Sequence, residues 1–122
     1  MISKMQLAWQ NIYTSNQKGK ILKGIAVAME TEMVTLTKDG KKERKAINSL
    51  IVNFKDIKIL IPSSEIKEGK IYKRQMRNMI GSEIRFIIVE VDKLTNKAVA
   101  SRKMALEKIR EIELKKYEKQ DK

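Results

Sequence analysis

Apolar residues along this chain first follow a helical period and then switch to that of a strand. In the opening segment Met5, Trp9 and Ile12 fall at i, i+4 and i+7, with Ile2 and Tyr13 near the same stripe. The spacing predicts an N-terminal amphipathic helix over residues 1–16 that docks by this face. From Gly19 the run KILKGIAVAME is rich in branched and small apolar residues, with Gly24 where a bulge or bend would suit a strand. A second run, MVTLT, leads into KDGKKERK, residues Lys38 to Lys45. Asp39-Gly40 reads there as a tight turn. The basic stretch reads first as a solvated hairpin tip and second as a phosphate clamp.

AINSLIVNF and IKILIP follow, separated only by Lys55-Asp56, which demands an antiparallel hairpin. Alternation sorts the faces. Val52 and Phe54 point one way and Ile51 and Asn53 the other, while Ile57, Ile59 and Ile61 lie opposite Lys58, Leu60 and Pro62. Pro62 lacks the amide that continues a ladder, so it belongs at a strand end or edge, with Ser63 or Ser64 capping a helical turn through Glu65.

In IYKRQMRNMI, residues 71–80, Tyr72, Met76 and Met79 are spaced for a short basic helix closing at Gly81. SEIRFIIVEVD and KAVAS then read as two strands joined by LTNK. Ile84, Phe86 and Ile88 alternate with Arg85, Ile87 and Val89, so the centre of that strand is apolar on both sides. The chain closes in a charged helix or tail over residues 104–122, with a thin apolar line through Leu106, Ile109, Leu114 and Tyr117. This order predicts a mainly β domain over residues 17–103 with flanking helices: a five-stranded antiparallel OB-fold barrel with one helix between the third and fourth strands. Its expected interior is Ile21, Val52, Phe54, Ile59, Ile61, Ile84, Phe86 and Ile88.

Charge narrows the function. Lys and Arg number 27 against 15 Asp and Glu, a net +12, which attracts polyanions: nucleic acid first, an anionic membrane second. The chain has no cysteine and no histidine. It therefore has no disulfide, no thiolate or imidazole zinc site and no Ser-His or Cys-His pair. Ser63 and Ser64 have no base to activate them. No enzyme activity, catalytic residue, metal or cofactor is expected. No apolar run approaches the ~18 residues a bilayer span needs, so a cytoplasmic protein without a membrane partner is expected.

From Gly19 to Lys103 the chain resembles the S-one RNA-binding domain, the repeat unit of the largest protein of the bacterial small ribosomal subunit. The likeness rests on GKILKG, a glycine-flanked opening strand; ILIPSSEI, a strand ending in a Ser-Glu turn; GSEIRFIIVEVD, a strand with a terminal Asp; and KAVASRK, a closing strand. With AWQNIY near the start and the helix after the last strand, the whole looks like a variant found in Gram-positive bacteria and their phages or mobile elements, often the first domain of a longer chain.

The resemblance implies a single-stranded RNA-binding surface made of two outward aromatics on the second strand, a His where the third strand ends, and an Asp and a basic residue around the last hairpin. Here Ile51 and Asn48 stand at the aromatic positions and Pro62 at the His position, while Asp92 and Lys97 match the last two. Stacking on an aromatic is worth ~1–3 kcal/mol per base, so its absence points to weak, poorly selective binding led by charge.

Two functions follow as expectations. One is nucleic-acid binding, to single-stranded RNA ahead of single-stranded DNA, with Lys20, Lys23, Lys58, Arg85, Lys97 and Arg102 on phosphates and Asp92 beside them. The other is a protein-docking adaptor whose partner meets an apolar face carrying Ile51, Leu60 and Ile87.

Overall fold

The computed structural model describes residues 2–120; the ends of the expected terminal elements, Met1 and residues 121–122, lie outside them. Helix α1 runs Lys4–Lys18. Ser3 starts it with a reciprocal cap, its hydroxyl accepting from the Gln6 amide at 3.1 Å while the Gln6 side chain accepts from the Ser3 amide at 2.9 Å. Gly19 ends it in the left-handed conformation, φ 72°, where only glycine is free of strain. The buried face of α1 is Ala8, Trp9, Ile12 and Ser15. Met5, expected on that face, is instead exposed, since it lies one turn before Ala8, where the buried part of the face begins.

Five strands follow: β1 Leu22–Lys38, β2 Lys41–Phe54, β3 Ile57–Pro62, β4 Glu83–Asp92 and β5 Lys97–Ser101. The runs GIAVAME and MVTLT form one continuous strand rather than two. Hydrogen-bonded neighbours run β1-β2-β3-β5-β4, and β4 pairs back onto β1, so the sheet closes on itself. The pairing is not all antiparallel, as the sequence had suggested: β3 and β5 are parallel, with Lys58, Ile59 and Leu60 opposite Lys97, Ala98 and Val99. The reason is connective. The segment between β3 and β4 holds a 3-10 turn, Ser63–Glu65, and helix α2, Lys73–Asn78. That excursion lets β5 return beside β3 in the same direction.

Inside the closed sheet lie Leu22, Ala26, Leu50, Val52, Phe54, Ile57, Ile59, Ile61, Ile84, Phe86, Ile88, Ala98 and Ala100. Phe54 and Phe86 meet edge to face, centroids 6.0 Å apart at 88°, an arrangement aromatic quadrupoles favour. Ile21 is only half-buried and Leu22 takes its interior place; the strand begins at Leu22, which sets the parity one residue later than expected. The extra residue of β1 is Val27, at a bulge between Ala26 and Ala28. Gly24, expected to mark it, serves a close approach instead: a Cβ there would stand 2.5 Å from the Asn53 carbonyl oxygen and 2.8 Å from Val52.

Helix α3, Arg102–Gln120, follows β5 directly. It docks through its first turns, where Ala105 is fully buried and Lys108 Nζ donates to the Gly19 carbonyl at 2.5 Å. From Arg110 to Tyr117 its residues are exposed. No helix of the described residues is long and apolar enough to cross a membrane.

Candidate nucleic-acid interface

The outer surface of β2, β3, β5 and β4 is where the family resemblance would put RNA. Outward positions alternate with the core positions, giving Ile51 and Asn53 on β2, Lys58 and Leu60 on β3, Lys97 and Val99 on β5, and Glu90 and Asp92 on β4. Two carboxylates of β1 join them. Glu30 reaches across β2 to Lys58, whose Nζ lies 2.8 Å from both of its oxygens. Glu32 lines a shallow groove of about 250 Å³ with Leu60, Glu90, Asp92, Thr95, Lys97 and Val99. The surface therefore holds four carboxylates, Glu30, Glu32, Glu90 and Asp92, against two cations, Lys58 and Lys97. A phosphate chain would meet net negative charge there.

Several expected contacts are already engaged. Lys58 is held by Glu30. Asp92 accepts from the Thr95 hydroxyl at 2.8 Å and the Thr95 amide at 3.4 Å, closing the β4–β5 turn. Arg102 donates through Nη1 to the Ile66 carbonyl at 2.9 Å, tying the start of α3 to the segment after β3, and Lys103 faces Glu65 at 3.8 Å. Lys20 donates to Asn11 Oδ1 at 3.0 Å. Lys23 and Arg85, by contrast, are exposed and directly opposite each other on β1 and β4. Like charges so placed repel, and a bound anion would relieve them.

The positions carried over from the family do not assemble. Asn48 shares a strand face with Leu50 and Val52, opposite to Ile51, and its Oδ1 pairs with the Thr31 hydroxyl at 2.7 Å. Pro62 pairs with Ser49 at the end of β3, as a strand-terminating proline should, but the turn after it has no side-chain cap. The apolar docking face needs a correction too. Ile51 and Ile87 are buried, 5% and 4% exposed, and only Leu60 is partly accessible. Ile51 lies beneath the Glu30–Lys58 pair, and Ile87 faces outward from β4 on the side where α1 and α3 pack against that strand. Neither cover was visible in the alternation of a single strand.

What sequence reasoning left as a hairpin tip is the largest basic feature of the sheet. Pairing of β2 with β3 ends at Ser49–Pro62, yet β1 and β2 continue to pair from Thr31–Asn48 out to Lys38–Lys41. At ~3.4 Å per residue this two-stranded arm extends roughly 25 Å beyond the closed sheet. Asp39 and Gly40 turn it with φ 53° and 76°, positive at both centres as a two-residue hairpin needs. Lys38, Lys41, Lys42, Arg44 and Lys45 crowd its end, and none of them has an ion-pair partner among the described residues. The density of basic residues in KDGKKERK was the one signal that could have found it.

No family model matches this chain, and no curated protein is significantly similar to it.

Proposed function

We propose that this protein is a nucleic-acid-binding module built on an OB-type barrel of the S-one kind, binding through phosphate contacts with little base selectivity. The closed strand order and the helix inserted between β3 and β4 support the fold reading. The observation that carries the functional reading is the state of the cations. With 27 Lys and Arg residues in the chain, the ion pairs among the described residues are Lys58–Glu30 and Lys103–Glu65. Exposed, unpaired cations supply the counterion-releasing contacts that dominate non-specific affinity.

The outward face of β2 and β3 offers no ring for stacking, so binding is weak and falls steeply with salt. A salt titration of binding to single-stranded RNA, duplex DNA and heparin tests this: log affinity should fall linearly with log salt on every polyanion. Changing Lys23 and Arg85 together to Ala should lower the slope by up to ~2 with the fold intact. Tight, base-selective binding insensitive to salt would refute the charge-led reading.

A further inference from the structure

We propose that the β1–β2 arm enters the major groove of duplex DNA and contacts phosphates on both of its walls. This rests on the nucleic-acid reading above and names its substrate class. The first support is shape. From Met33 to Ala46 no residue of the arm is buried, and at its root Glu32 borders the groove shared with β3, β4 and β5. A free two-stranded ribbon has the cross-section that the B-form major groove admits.

Charge placement separates a groove from a flat surface. Cross-strand partners share a face, so Thr37 and Lys42, Thr35 and Arg44, and Met33 and Ala46 lie on one side, while Lys38 and Lys41, Leu36 and Glu43, and Val34 and Lys45 lie on the other. Cations thus point both ways: Lys42 and Arg44 to one side, Lys38, Lys41 and Lys45 to the other. A single strand lying along the arm would use one face only. It would also find no aromatic side chain on the arm for its bases to stack on. Exposed Met33 and Leu36, one per face, offer apolar contact to thymine methyl groups.

Charge also changes sign along the arm. Glu30 and Glu32 stand at its root, while at its end the five cations outnumber Asp39 and Glu43, so a polyanion is drawn to the end and repelled from the outer surface of the closed sheet. The deep, narrow major groove of A-form RNA does not admit such a ribbon. Duplex DNA is therefore the preferred partner.

The test uses the full chain and a Lys41→Ala, Lys42→Ala, Arg44→Ala, Lys45→Ala variant. Anisotropy is read on a duplex DNA of about 20 base pairs, on duplex RNA of the same sequence and on single-stranded RNA, across salt. The native chain should prefer duplex DNA and protect guanine N7 from methylation. The variant should lose that protection, bind at least about tenfold more weakly at low salt, and show a slope smaller by roughly 3 to 4. An unchanged thermal midpoint verifies that the closed sheet is intact; if the quadruple variant unfolds, Lys41→Glu and Lys45→Glu are read singly for the same loss. Native binding with an unchanged slope in the variants overturns the arm's role while leaving the charge-led function standing. Preference for single-stranded RNA, or no N7 protection, overturns groove entry. Failure of the native chain to bind any polyanion overturns the functional reading itself.

Discussion

Lys58 and Glu30 form a two-oxygen ion pair, 2.8 Å to each carboxylate oxygen, that crosses β2 above Ile51. Lys58 sits where RNA would lie if the family pattern held, yet its charge is answered within the chain. Both side chains are a third or more exposed, so the pair contributes at most ~1 kcal/mol. Lys58→Ala should therefore leave the salt slope of nucleic-acid binding unchanged. Glu30→Gln should raise affinity by releasing Lys58, which a titration at fixed low salt detects. A fall in slope of about one for Lys58→Ala would mean that the lysine leaves Glu30 for a phosphate.

Ser15 joins α1 to β4. Its hydroxyl accepts from the buried Ile88 amide at 2.9 Å and donates to the Lys20 carbonyl at 2.6 Å, while the Asn16 side chain donates to the Ile88 carbonyl at 3.3 Å. The β1–β4 ladder stops at Leu22–Phe86, and the helix end supplies the next partners that β1 no longer does. Ser15→Ala should cost ~1–3 kcal/mol, the penalty of an unpaired buried donor. Hydrogen exchange at the Ile88 amide should quicken more than at Ile84.

Phe86 is fully buried at the centre of the core, edge-on to Phe54. Phe86→Ala should destabilise by ~3–5 kcal/mol through the cavity it leaves, measured by denaturant unfolding. A loss below about 1 kcal/mol would mean that the closed sheet collapses around the gap.

Glu107 on α3 is held above the ordinary carboxylate range, first by a hydrogen bond with Glu68, then by partial desolvation and the repulsion of the Glu68 charge. A raised carboxyl pKa favours the folded contact when the proton is present, so this contribution is full at acid pH and fades as pH rises through the raised value. Glu68→Ala should bring the Glu107 carboxyl titration, followed by carbon NMR, back toward the ordinary range. An unmoved midpoint would exclude Glu68 as the cause.

Much of the architecture was legible because it depends on local periodicity. The alternation in IKILIP and SEIRFIIVEVD identified Ile59, Ile61, Ile84, Phe86 and Ile88 as interior, and all are buried. Lys55-Asp56 forced the β2–β3 hairpin, and both residues do take positive φ, 50° and 71°, with Asn53 Oδ1 accepting from the Asp56 amide at 2.9 Å. Less of the candidate site was legible. Lys58, Arg85 and Arg102 look alike as sequence, but one is paired with Glu30, one stands free opposite Lys23, and one is bound to the Ile66 carbonyl.

By itself, then, the sequence determined most of the elements, most of the interior positions and the excess of positive charge, since each depends on neighbours a few residues apart. Only the tertiary structure decided which cations remain free and which apolar residues are covered. Glu30 is 28 residues from Lys58, and Ser15 is 73 from Ile88. Contacts at such separations depend on strand order, register and the docking of helices on the closed sheet. The register also carries β1 and β2 past the end of β3, and that overhang turns a run of basic residues into an arm with cations on both faces.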